Sequence, residues 1–553
     1  MNEKSKLGLG VMDAALVLGV LGDALLRVTP WGLNALLWTG ALVLAALVLV
    51  RWRGVELKGE GSRLLLPMVL FAAAFAWRDS SVLKWLDGLA LFLTLSLAAG
   101  RTRSGRLIVA GVTEYAREIF AAVFNATFGA WPLLRSDVCW KDMPRGGWSR
   151  NAAAIGRGLI IAVPLLFVFG GLLMAADAVF ERIINNVFQI DLPEMLLHVF
   201  VSLVCAWLVC GFLRGALLKN ESANENAENT LAGSVAPVAS IITMEINETA
   251  SDKAEAAKNE TAKNVELPRL QSVSMGIIEL GIGLGLLNAL FFCFVVVQFR
   301  YFFGGASQVQ ISTGMTYAEY ARRGFFELVW VAALVLPLLL VAHYLLRKGK
   351  AAHERIFRAL AGMLLTLLFV IMASAMVRMR LYQQEYGLTE LRVYTMTFMG
   401  WLALVFVWFA WTVLRGRRER FVYGALIACF FVIGALNLSN PDAFIVSANV
   451  AHAARVNQKL DAGYATSLSA DAVPVLIKSL PSMNSSDARI VAAYVLEHWS
   501  KPSQIDYRAW SVSRGAAWSA TERHAMELRA LAREAKGAPQ SSSAVEQSNL
   551  TAR

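Results

Sequence analysis

The sequence predicts an all-α fold: a polytopic membrane helix bundle with a small helical extracytoplasmic C-terminal domain. Three observations carry this. First, about eleven apolar segments fill nearly everything from Leu7 to Leu438, and most approach the roughly 20 residues a helix needs to cross a ~30 Å hydrocarbon core. Second, the 553 residues are 57% hydrophobic and only 17% charged, with a mean hydropathy of +0.51, whereas a soluble chain would carry about 25% charge. Third, Lys and Arg alternate between loops. With a cytoplasmic N-terminus and all eleven segments crossing, inside loops hold about 30 basic residues and outside loops about 10, the bias that defines the positive-inside rule.

The predicted spans run in order. They are Leu7–Leu26, Trp31–Val50, Leu64–Trp77, Trp85–Gly100, Leu159–Ala176, Leu196–Leu213, Met275–Val297, Phe325–Leu346, Ala359–Val377, Met396–Leu414 and Phe421–Leu438. Leu7–Leu26 is too long for a signal-peptide core and reads as the first span. Leu64–Trp77 is short, and Trp77-Arg78-Asp79-Ser80 leaves little room for a loop, so this pair reads as a tight hairpin or a re-entrant pair. Leu107–Phe128 is interrupted by Glu114, Arg117 and Glu118 at helical spacing, which predicts an amphipathic helix on the cytoplasmic face.

Composition divides the chain. Residues 1–218 form a first transmembrane block of six spans, and 219–271 a polar linker without aromatics, predicted to be disordered and cytoplasmic. Residues 272–440 form a second block of five spans, 441–536 a soluble helical domain, and 537–553 a disordered tail. In the C-terminal domain Asp442–Lys459, Ser469–Ser479, Ser485–Trp499 and Ser519–Lys536 read as amphipathic helices, with Ser485 as an N-cap and Ser519 with Glu522 as a capping box.

No catalytic constellation is visible: HExxH, GxSxG, P-loop and CxxC patterns are all missing from the sequence. The five cysteines show no zinc or disulfide spacing, so neither metal nor cofactor is expected. The net charge of +11 belongs to the cytoplasmic loops; no basic module interleaved with aromatics points to nucleic acid. Gly276, Gly281, Gly283 and Gly285 lie in an apolar helix and follow no strand, so they read as a close helix–helix contact rather than a dinucleotide loop. The intramembrane ionisable groups Asp13, Asp23, Asp87, Glu279, His198 and His343 fall near span ends, which argues against a buried proton relay.

The densest polar cluster lies on the predicted outer face. It combines Arg78 and Asp79 with Glu319, Arg322, Arg323 and Glu327, then Arg378, Arg380, Tyr382, Tyr386 and Arg392, joined by Glu390 and Tyr394. Glu319, Arg323 and Glu327 are four apart and share one helix face. Arginines so arranged suit bidentate contacts to an anionic headgroup, peptide or sugar. The competing reading is an interfacial ion-pair network with the tyrosines as an aromatic belt.

Three stretches resemble a known family. Tyr317-Ala-Glu319-Tyr320-Ala-Arg322-Arg323-Gly324-Phe325-Phe326-Glu327-Leu328 resembles the signature of a group of bacterial polytopic proteins. Arg380-Leu-Tyr382 through Tyr386-Gly387-Leu388-Thr389-Glu390-Leu391-Arg392-Val-Tyr394 is similar to its next block. Asn440-Pro441-Asp442-Ala443, with Leu460-Asp461 and Ser469-Ala470-Asp471-Ala472-Val473-Pro474, is similar to a third. The group carries a domain of unknown function, number 4173, related to number 4153. The resemblance covers about Met275 to Leu480, more loosely the first six spans, and implies a bacterial cytoplasmic-membrane protein without an assigned activity.

The leading expectation is therefore non-enzymatic: a membrane scaffold or envelope-sensing protein, embedded in the lipid bilayer, whose outer cluster and C-terminal domain engage an envelope protein or a lipid headgroup. The rivals are a transporter or channel for a small or anionic solute, with broken helices near Pro164, Pro337 or the glycines of the seventh span, and a membrane-embedded transferase using Asp79 or Glu319 on a lipid-linked substrate.

Overall fold

In the computed structural model, residues 3–52, 64–101, 111–138, 192–218, 277–303, 325–346, 351–456 and 460–537 are described. Among them every element is helical. The predicted span Leu159–Ala176, the linker 219–271, the tail beyond Gly537, and Glu319, Arg322 and Arg323 lie outside the described residues.

The membrane part comprises α1 (Glu3–Leu26), α2 (Leu33–Trp52), α3 (Leu65–Trp77), α4 (Ser81–Arg101), α5 (Val112–Phe128), α6 (Leu192–Leu217), α7 (Ile277–Phe303), α8 (Phe325–Leu345), α9 (Ala351–Tyr386), α10 (Glu390–Thr412) and α11 (Phe421–Ser439). Nine of these helices are long and apolar enough to cross a membrane, each within or overlapping a predicted span. The tenth, α3, has 13 residues, too short to span unaided. It packs on α4 as a hairpin with α2 behind it. By contrast α9 has 36 residues, about 54 Å of helix, so it continues well past a ~30 Å core. The surplus carries Arg378 to Tyr386 beyond the predicted end of that span.

Two apolar cores hold the bundle. One joins α1, α2 and α6 with the ends of α4 and the segment after α5. The other joins α7 to α10 and the start of α11, around Phe325, Phe357, Phe406 and Phe409. α11 bridges them. Its Ile433 packs with Phe71 of α3 and Ala90 of α4, and its first turn meets Leu97 and Tyr115. The closest helix approaches depend on glycine: a Cβ on Gly19 would lie 2.5 Å from the Ser202 carbonyl of α6, and one on Gly211 would strike the Asn125 carbonyl of α5. The expectation for the seventh-span glycines is corrected. Among the described residues a Cβ at Gly281, Gly283 or Gly285 meets open space. The contact face of α7 is instead Leu280, Leu284, Phe291 and Val295.

The C-terminal layer comprises α12 (Pro441–Val456), α13 (Ala462–Ser467), α14 (Val473–Ser479), α15 (Ser485–His498), α16 (Val512–Arg523) and α17 (Ala525–Gly537). Its own core gathers Ile445, Val446, Leu476, Val491, Val495 and Leu528. It sits on one end of the bundle, where α3, α9 and α11 finish and α2, α4 and α10 begin. Two expected N-caps move. Asn484, not Ser485, caps α15 by accepting from the Asp487 N–H. Ser519 is interior to α16, which Ser511 caps. The reason is burial: Ser513, Ala517 and Ala520 face inward, so packing extends the helix upstream of the local capping signal.

Candidate functional site: a polar seam under the C-terminal layer

The seam begins with a three-residue turn. α3 stops at Arg78, whose backbone is extended while its N–H still bonds the Ala74 carbonyl, and α4 starts at Ser81. A turn this short leaves the first N–H groups of α4 without local acceptors. Asp471, from the loop before α14, supplies them. One of its carboxylate oxygens accepts from the Asp79 N–H at 2.7 Å and the Ser80 N–H at 3.0 Å. An anion at a helix N-terminus also interacts favourably with the helix dipole.

The other Asp471 oxygen takes the Arg78 guanidinium at 3.2 Å, with both side chains almost fully buried. Arg78 also donates to the carbonyls of Asn437 (2.7 Å) and Leu438 (3.4 Å), which end α11, and stacks over Trp77. Ser513 of α16 places its hydroxyl 2.5 Å from the same Asp471 oxygen and 2.9 Å from the Trp77 carbonyl, donating its one proton to either. An arginine removed from water is tolerable because its donors meet a carboxylate and helix-end carbonyls.

Asp79 faces a different set. Lys84 of α4 reaches it at 2.6 Å, and Arg514 of α16 at 3.0 and 3.1 Å. Its carboxylate is 6% exposed and both oxygens are approached by cations. Beside it, Asp442 at the start of α12 is fully buried. Its Oδ2 accepts from the Ser469 hydroxyl at 2.5 Å and from the Ser469 N–H. Burial pushes the Asp442 carboxyl above the usual carboxylate range; the Ser469 bonds oppose this and nearby Asp471 adds to it. Ser80 meets the Tyr394 hydroxyl of α10 at 3.3 Å.

A second group forms at the α9–α10 corner. Tyr382 and Tyr386 pack rings 5.0 Å apart, and Arg392 lies 4.2 Å over the Tyr382 ring while donating to the carbonyls of Tyr386 and Gly387. Gly387 turns the corner with φ +69°, where a side chain would be strained, and a Cβ there would sit 2.7 Å from Asn449. Asn449 of α12 accepts from the Leu388 N–H at 2.6 Å and donates back to the Leu388 carbonyl at 2.8 Å. The Tyr464 hydroxyl of α13 accepts from the Glu390 N–H. Burial raises the Tyr464 phenol above its ordinary range.

The predicted cluster thus separates. Arg78 and Asp79 are closed into the seam; Tyr382, Tyr386 and Arg392 make the corner. Arg380 is exposed on α9 and Glu327 in the first turn of α8, and Arg378 is half-buried. Sequence reasoning missed Asp471, Ser513, Arg514 and Lys84 as members. Asp471 lay within a quoted motif, but its partner is 393 positions away. Among the described residues no group of three His, Cys, Asp or Glu side chains is placed to hold a metal ion.

The model of one protein family matches residues 65–479, well over half of the chain, and its description is a domain of unknown function, DUF4153. The match is therefore to domain 4153, where the sequence motifs resemble number 4173, and it starts well before Met275. It spans the α3–α4 turn, the α9–α10 corner and Asp471, and stops before Ser513 and Arg514. No curated protein and no solved structure matches the chain. On the extent of that match, this multi-pass helical protein belongs to the family defined by domain of unknown function 4153.

Proposed function

We propose that the protein is a non-enzymatic membrane scaffold or envelope-sensing protein of a bacterial cytoplasmic membrane, whose C-terminal layer stands on the extracytoplasmic side. The observation that carries this is the Asp471 hub: one carboxylate of the layer satisfies the side chain of Arg78 and two N–H groups of the α3–α4 turn. A polar site meant to receive a solute or substrate keeps donors unpaired until the ligand arrives; here they are spent on fixing the layer to the spans. Asp79, the carboxylate a transferase would use as a base, is held between Lys84 and Arg514. This orientation is supported by the basic residues at the opposite end of the bundle, Arg51 at the end of α2 and Arg415, Arg417, Arg418 and Arg420 between α10 and α11.

On this reading the partner, an envelope protein or lipid headgroup, meets the exposed polar groups around the α9–α10 corner rather than the closed seam. Tyr386 is 57% exposed and Arg380 lies on the same rim. The test is in-membrane crosslinking followed by affinity capture, comparing the native chain with an Arg380→Glu variant. Loss of the captured partner with membrane insertion retained is expected. Capture unchanged by the reversal overturns the assignment of this rim.

A further inference from the structure

At the end of the bundle away from the C-terminal layer, α5 is inside out. Its buried face is Tyr115, Glu118, Ala122 and Asn125, small or polar for the most part. Its exposed face begins with Glu114 and Arg117 and continues as an aromatic ladder: Phe120 (71% exposed), Phe124 (51%) and Phe128 (57%), one helical turn apart, with ring centroids 6.3 and 5.0 Å apart. Trp131 extends the row at 60% exposed. A helix facing water orders these faces the other way.

The helix position explains the inversion. Tyr115 packs against Leu64 and Leu97, the beginning of α3 and the end of α4. The π-helical turn Leu133–Asp137 that follows α5 meets the start of α1, where Gly8 lies against Val138. From the span ends at Tyr115, α5 therefore leans inward along α6: Asn125 lies against Gly215 and Gly211, and Trp207, midway along the α6 span, donates to the Thr127 carbonyl at 2.7 Å.

Between this segment and α6 runs a groove of about 440 Å³, lined by Phe124, Phe128, Trp131, Pro132, Trp207 and Arg214. Arg214 is its charged wall. Only its Nε is engaged by a described residue, donating to Asp137 at 2.6 Å, which leaves the two terminal nitrogens of the guanidinium available to a second acceptor. The exposed Arg135 lies on the same turn as Asp137, two residues before it. An apolar trough with a guanidinium at its rim matches a phospholipid: acyl chain on the aromatic rings, phosphate on the arginine.

We propose that this groove is a binding site for one anionic phospholipid of the adjacent leaflet. The site is at the other end of the molecule from the seam and does not depend on the reading given above.

The experiment uses the full chain in liposomes of phosphatidylglycerol and phosphatidylcholine, with p-benzoylphenylalanine at position 128. After irradiation, the adduct mass identifies what lies on the ladder. The expected adduct is a phospholipid, with phosphatidylglycerol enriched over its share of the liposome, and Arg214→Gln lowers that enrichment about tenfold, the effect of one charge-assisted contact. A crosslink to a peptide of this chain or of a second copy overturns the proposal, as does phospholipid captured in the bulk ratio. The native-chain adduct decides even where Arg214→Gln fails to accumulate.

Discussion

The two ends of the bundle solve opposite problems. Beneath the C-terminal layer, charged groups are buried and paired: Arg78, Asp79 and Asp471 sit where an unpaired charge would be costly. At the far end, α5 leaves aromatic rings uncovered by any described residue. The first end is stabilised by protein contacts, so its residues are interdependent. The second end depends on the solvent around it, so its residues are replaceable by others of similar hydrophobicity. Substitutions should therefore act strongly on stability at the seam and weakly at α5, where lipid composition matters more.

The largest effect is expected at the hub. Asp471→Ala leaves Arg78 buried without a counter-charge and two N–H groups of the α3–α4 turn unsatisfied, a loss of ~3–5 kcal/mol. Thermal unfolding of the detergent-solubilised chain, together with trypsin sensitivity of the segment after Asn440, measures it. If the melting curve of Asp471→Ala overlays that of the native chain, the seam does not hold the layer. Asn449→Ala comes next, at about 1–3 kcal/mol, because it strips both bonds from Leu388 at the α9–α10 corner. The same melting curves should rank it below Asp471→Ala, and a reversed rank would make the corner the main attachment.

A pH series sharpens the comparison. The Asp442 carboxyl is raised by burial, so the docked layer favours its protonated form. The stability this group contributes is complete below its ordinary carboxylate range and is lost as pH rises through the raised value. Asp442→Asn should flatten that slope; an unchanged slope assigns it to another group. The smallest effect is expected at the exposed Arg358–Glu354 pair, one turn apart on α9, where Arg358→Ala should change stability by about 0.3–0.5 kcal/mol at most. A larger shift by the same melting assay would mean that this pair serves a contact beyond the helix.

Much of the fold was legible because a bilayer imposes a length and an apolar composition on each crossing, and nine helices answer to them. The Trp77-Arg78-Asp79-Ser80 turn was legible too, since charges between two apolar runs have nowhere else to go. What could not be read was pairing across the chain. Nothing local tells Arg78 that its carboxylate is Asp471, or Asp79 that Arg514 will reach it. The glycines of α7 misled for the same reason: spacing along one helix says nothing about whether a neighbour occupies that side. The helix α16 began earlier than its capping signal because burial of Ala517 and Ala520 outweighs a single cap.

The last membrane helix passes into the first helix of the C-terminal layer through Asn440 alone, in the left-handed conformation (φ 49°). Its side chain accepts from the Ala443 N–H and donates to the Asp471 carbonyl. There is no slack in such a joint. With a single residue between them and both polar ends of its side chain engaged, α11 and α12 keep one fixed angle, so the layer takes its direction from the last apolar helix.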